Sequence, residues 1–272
     1  MKINKLFRIY MNNNIQNSVP VIFNRNNKKF KSIKINDLYM KIAHEIAERV
    51  KETNLDFENA LEINSKVINS GIKLKETKII KNLYRTALNN PQEKKILNFK
   101  SDEEFLPIKN DSLNLVYSVL GLNTVNDLPG TFKQIFNSLK NNGLFIATFW
   151  GQGTLNPLTE ALAHADEKIL GGLYQRIFPF CDIKTLGSLL QRAGFSLPMA
   201  DQEKILKSYP NINYLLKDVR SFNENNTLIT RSKKFTPRAI FEEAEIYLKD
   251  NYSDNEKFSI PFNIIFVTGW KN

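Results

Sequence analysis

The chain has 272 residues but a single cysteine, Cys181, and only two histidines, His44 and His164. That scarcity excludes an internal disulfide and a Cys/His zinc site, and it points to a reducing compartment. No apolar run approaches the roughly 18 residues of a membrane-spanning helix. The first residues, Met1 to Asn14, are broken by Lys2, Lys5, Arg8 and an asparagine triplet, so neither a membrane span nor a secretory signal is expected. The patterns G-x-S-x-G, G-x-x-x-x-G-K-[ST] and H-E-x-x-H are missing too, which removes the chemistries those motifs carry.

What remains is an ordinary globular composition, 42% hydrophobic and 24% charged, with 11 Gly and 10 Pro. A chain of this length buries roughly 70–75% of its unfolded surface and needs no metal staple. The net charge of +10 is uneven: eleven Lys and Arg face three acids over residues 1–51. Residues 1–35 therefore read as a basic N-terminal arm ahead of a domain over 36–272. The arm reads as a solvated face or as a contact for an acidic partner. Nucleic-acid binding is the weakest reading of this arm.

Along the domain, Leu38, Ile42, Ile46 and Val50 recur at helical spacing after a cap at Asn36 or Asp37. Residues 56–63 read as a strand, and Ile79-Ile80 suggest another. Leu113 to Leu122 is the continuous apolar run that a parallel strand covered on both faces requires. Asp127 then caps a helix with Pro129 in its first turn, Asn141-Asn142-Gly143 stops it, and Leu144 to Trp150 returns as a strand. Helices follow over 155–171, over 182–193 with Gly194 as terminator, around 215–222, and from Thr236-Pro237. Ile260, Phe262, Ile264 and Phe266 alternate as a final strand. Strands alternating with helices predict an open, mostly parallel α/β sheet with an antiparallel edge and a helical insertion near 152–230. Ligands of such sheets bind beyond the carboxyl ends of the strands, where the strand order reverses.

Several segments carry a resemblance. They are Ile22-Phe23-Asn24-Arg25, Asp102 through Leu106-Pro107-Ile108, Leu120 through Asn126-Asp127-Leu128-Pro129, Phe178-Pro179-Phe180, Leu186 through Ala193-Gly194-Phe195, and Thr268-Gly269-Trp270. Together they resemble the class I S-adenosylmethionine-dependent methyltransferases. Within them the likeness is to the methyltransferase-like complex I assembly factors and the malonyl-acyl-carrier-protein O-methyltransferases. The resemblance implies a seven-stranded Rossmann-like sheet that holds S-adenosylmethionine against its first, second and fourth strands. It assigns Glu62 to the acid ending the first strand, Asp102 with Glu103 to the adenine, and Ser118 and Leu120 to the methionine portion.

Two departures from that pattern stand out. The family's glycine loop is replaced by Asn64, Lys66 and Ile68, and the acid expected near Thr86 is missing. Asn64 could turn left-handed cheaply, whereas Lys66 and Ile68 could not. At roughly 1–2 kcal/mol per strained residue, the three replacements could lower cofactor affinity about 10²–10⁴-fold. Asn123-Thr124 also replaces the family's His-Trp pair, which alters any aromatic wall for a substrate.

Plain structural readings stand beside these roles. Glu62, Asp102 and Glu103 also read as strand-end or turn charges, Phe149 and Trp150 as core aromatics, His164 as an exposed helix residue, and Cys181 as an inert buried thiol. Two functions follow from the resemblance: modification of a protein in respiratory complex I assembly, by methylation or arginine hydroxylation, or a non-catalytic descendant that binds such a subunit. The expected setting is a bacterial cytoplasm or a mitochondrial matrix.

Overall fold

The computed structural model describes residues 20–25, 37–64, 78–87, 96–222, 226–254 and 256–272. Helix α1 (Asp37–Glu52) leads into β1 (Phe57–Ile63), and β2 (Ile80–Ala87) and β3 (Leu97–Lys100) follow. Next come β4 (Leu113–Ser118), α2 (Leu128–Ser138), β5 (Leu139–Trp150), α3 (Asn156–Leu170) and α4 (Ile183–Ala193). The chain closes with β6 (Ser196–Tyr209), α5 (Ile212–Ser221), α6 (Arg238–Tyr252), the short β7 (Ser253–Asp254) and β8 (Lys257–Lys271).

The strands form one sheet in the order β3-β2-β1-β4-β5-β8-β6, with β7 beside β8. Strands β1 to β5 pair in parallel, while β8 runs antiparallel between β5 and β6. The order reverses between β1 and β4, the position at which an open sheet leaves a crevice.

The apolar runs of β4 and β5 are continuous because both faces are covered. Leu115, Tyr117, Leu144, Ile146 and Trp150 face the core built with α1, α3, α5 and α6. Val116, Phe145, Ala147 and Phe149 face the opposite core, with Phe132 and Ile135 of α2 and Leu186 and Leu190 of α4. This is the two-residue alternation of a pleated strand read from both sides. Asp127 caps α2 by accepting from the Gly130 N–H at 2.8 Å. Gly194, at φ +106°, ends α4 as expected of a left-handed terminator.

Three expectations are corrected. The strand expected over 113–122 ends at Ser118, because Leu120 turns left-handed at φ 51°. Helix α2 stops at Ser138 rather than at Asn141-Asn142-Gly143, which lie inside β5. Residues 196–209, to which sequence periodicity assigns no element, form the 14-residue strand β6.

Candidate functional site: the crevice beyond β1, β4 and β5

At the end of β1 the Glu62 side chain is fully buried, directly opposite Arg85 of β2. Arg85 donates from Nε at 2.8 Å, and its Nη2 lies 2.7 Å from the same carboxylate oxygen. Glu62 is thus the acceptor in a buried ion pair within the sheet. Thr86, where the family pattern has an acid, is buried as well.

Asn64 adopts φ 52°, the left-handed turn expected of it, and its Nδ2 donates to the Gly121 carbonyl at 2.6 Å. Lys66 and Ile68 lie outside the described residues. The Ser118 hydroxyl donates to the Ile63 carbonyl at 3.0 Å, and the Leu120 N–H donates to the Thr148 hydroxyl at 3.0 Å. A Cβ on Gly121 would come within 2.8 Å of the Ile63 carbonyl and 2.9 Å of the Asn64 carbonyl. Glycine at 121 lets the ends of β1 and β4 close against each other.

Beyond β3, Asp102 and Glu103 form a second ionic centre. Arg25, whose side chain is only 8% exposed, donates from Nη1 to Asp102 at 2.6 Å, with the same nitrogen 2.8 Å from Glu104. Its Nη2 bonds the fully buried Glu103 carboxylate. Residues 20–25 are held there like a strap: the Asn126 side chain accepts from the N–H groups of Ile22 and Phe23, and Asn24 donates to the Thr227 carbonyl. The solvated-arm reading is therefore corrected at Arg25, which the buried Glu103, the partly buried Glu104 and the half-exposed Asp102 hold in place.

The two halves of the crevice meet at Asn123. Its Nδ2 donates to the Leu120 carbonyl at 2.9 Å, and its Oδ1 accepts from the Trp150 N–H at 2.9 Å. Trp150 packs against Tyr39, Phe222 and Phe262 with ring centroids 5.5–6.3 Å apart. A cavity of about 120 Å³ opens there, and a cleft of about 470 Å³ lies beside it along the start of α3.

The structure thus brings Glu62, Ser118 and Leu120 to one side of the crevice and ties Asp102 and Glu103 to the strap. Arg25 and Asn126 fall in segments that carry the family resemblance, which gives them no role, and nothing in the sequence marks Arg85. Cys181 is partly buried, and its thiol is pushed up to about 11, by burial first and the Asp182 charge second. His164, exposed as expected, stacks on Tyr247 at 4.9 Å. Among the described residues no group of His, Cys, Asp and Glu could hold a metal ion, and no helix is long and apolar enough to cross a membrane.

This strand order, with its crevice at the β1/β4 reversal, is that of a class I methyltransferase fold. The YcgJ protein of Bacillus subtilis superposes with a TM-score of 0.55 at 11% identity, over 86% of this chain and 99% of its own. The [4+2]-cyclase SpnF does so at 0.51 and 11%, over 93% and 87%, so the fold alone does not define a reaction. In sequence, the arginine-hydroxylase NDUFAF5 of Rattus norvegicus is 34% identical over 254 residues, covering 88% of this chain and 71% of the relative. The Dictyostelium discoideum protein of the same name is 35% identical over 65% of this chain, but that match spans only 41% of the relative. A malonyl-[acyl-carrier protein] O-methyltransferase of Nitrosospira multiformis is 28% identical over 67% of this chain and 57% of its own length. No protein-family model matches. The chain belongs to the NDUFAF5 family of class I methyltransferase-fold proteins.

Proposed function

We propose that this protein serves respiratory complex I assembly by engaging a protein subunit at the cleft beyond β5. The observation that carries this reading is the extended likeness to the mitochondrial arginine-hydroxylase NDUFAF5 proteins, which runs through the cleft as well as the sheet. Methylation and arginine hydroxylation of that subunit are the two chemistries the relatives' names suggest. A bacterial cytoplasm or a mitochondrial matrix would suit either.

The residues on the nucleoside side do not match what S-adenosylmethionine needs. A ribose or an adenine amine is received by a carboxylate that can still accept a hydrogen bond. Here Glu62 is buried and engaged by Arg85, and the end of β2 presents Arg85 and Thr86 instead of an acid, while Asp102 is held by Arg25 at one oxygen only and keeps the other for a ligand. We therefore derive no step through that cofactor. The buried Glu62–Arg85 pair and the missing acid at the end of β2 favour the second reading, a non-catalytic assembly factor that keeps the fold as a binding surface.

Deleting the gene should reduce assembled complex I on native gels, and the wild-type chain should restore it. In the non-catalytic reading, Asp102→Asn restores assembly as well as the wild type does. Full complex I in the deletion strain would end the assembly reading. Loss of rescue by a stably folded Asp102→Asn protein would return the chain to the catalytic reading.

A further inference from the structure

Three cavities adjoin around Arg176, in the loop between α3 and α4. The first, about 120 Å³, is walled by Trp150, Phe178, Phe180, Phe222 and Phe262. The second, about 470 Å³, runs past Gln152, Asn156, Thr159 and Tyr174. The third, about 170 Å³, is lined by Arg231, Ser232, Lys234 and Thr236, just ahead of α6. Arg176 borders all three. The surface therefore grades from aromatic, through uncharged polar, to cationic.

The charges along this path separate posts from free cations. Arg176 is bound by Asp166, a fully buried carboxylate, at 2.6 and 2.8 Å, and its remaining Nη1 donates to the Thr236 hydroxyl at 2.7 Å. Its charge is thereby cancelled, and it works as a fixed wall. Asp182, the acid on the second cavity, is committed to capping α4 through the Thr185 N–H at 2.9 Å. Among the described residues, no acid lines the third cavity. Arg231 donates there to the Leu228 carbonyl at 3.3 Å, and α6 begins at Arg238 without a side-chain cap. Arg231 and Lys234, with the hydroxyls of Ser232 and Thr236, thus line a space that holds no carboxylate among the described residues.

We infer that this cleft binds a single-chain amphipathic anion, with its apolar tail among Trp150, Phe222 and Phe262 and its carboxylate or phosphate head at Arg231 and Lys234. Tail burial supplies affinity, and the charged head fixes orientation. The inference depends neither on cofactor binding nor on the complex I role.

Trp150 is a built-in reporter, since the chain has only two tryptophans. In a Trp270→Phe background, titration with octyl phosphate or octanoate should shift Trp150 emission saturably. Octanol should bind about tenfold or more weakly, the difference expected of a charge-assisted hydrogen bond. Arg231→Gln combined with Lys234→Gln should reduce anion affinity by about tenfold and leave octanol unchanged. Octanoate against octyl phosphate decides between carboxylate and phosphate as the preferred head. Equal binding of octanol, or no effect of the double substitution, would overturn the proposal. So would a response to phosphatidylglycerol vesicles without any to the monomeric amphiphiles. Failure of complex I rescue alongside intact octyl phosphate binding would count against the assembly reading alone.

Discussion

At the scale of single residues, the site is defined by which charges are already paired. Arg25→Gln removes a cation from the buried Glu103 carboxylate, and removing one partner of a buried pair costs about 3–5 kcal/mol. Urea unfolding should show that loss, and a change below about 1 kcal/mol would mean the cluster is solvated. Gly121→Ala places a methyl group against the backbone carbonyls of Ile63 and Asn64, at an expected cost of about 1–3 kcal/mol by the same measurement. Cys181, pushed up to about 11, is a neutral thiol at physiological pH. Its alkylation by iodoacetamide should be slow at pH 7.5 and climb about tenfold per pH unit to pH 10, whereas a plateau below pH 9 would contradict that environment. Some of this was legible in the sequence: the left-handed Asn64 follows from a short amide side chain where the family has glycine. The ion pairs were not, because Arg25 and Asp102 lie 77 residues apart and no spacing rule joins them.

At the scale of elements, the legible parts were those in which one local signal sufficed. Asp127 with Pro129 marks the start of α2, and Asp182 with Gly194 brackets α4. Strand β6 leaves no clear sequence signal because it is an edge strand, whose exposed charges dilute the apolar alternation. Those charges have partners: Asp201 accepts from Arg49 at 2.6 and 2.7 Å, and Glu203 accepts from Lys41 at 2.7 Å, tying β6 to α1. Part of the basic excess in the first fifty residues is therefore a helix matched to this edge. The α4 cap also gives a pH dependence. Hydrogen bonds from the Thr185 N–H, and then from its hydroxyl, hold Asp182 below its ordinary value of 3.8. A depressed carboxylate contributes stability that is present at neutral pH and lost as pH falls through its folded value. Asp182→Asn keeps an acceptor but removes the titration, so its thermal midpoint should fall less steeply below pH 4 than that of the wild type. Identical acid limbs would show that the cap does not titrate.

At the scale of the whole molecule, the parallel core of the sheet was legible because buried parallel strands show as continuous apolar runs, and the strand–helix–strand unit around α2 orients its neighbours. The crevice could be located from the sequence, but its chemistry could not, since that depends on arginines arriving from β2 and from the strap at residues 20–25. The central proposal is that Arg85, paired with the buried Glu62, and the missing acid at the end of β2 leave the crevice poorly suited to a nucleoside. Calorimetric titration of the purified full chain with S-adenosylmethionine tests it directly. Binding weaker than ~100 μM, or no saturable heat, is the expected result, and a low-micromolar dissociation constant would contradict it.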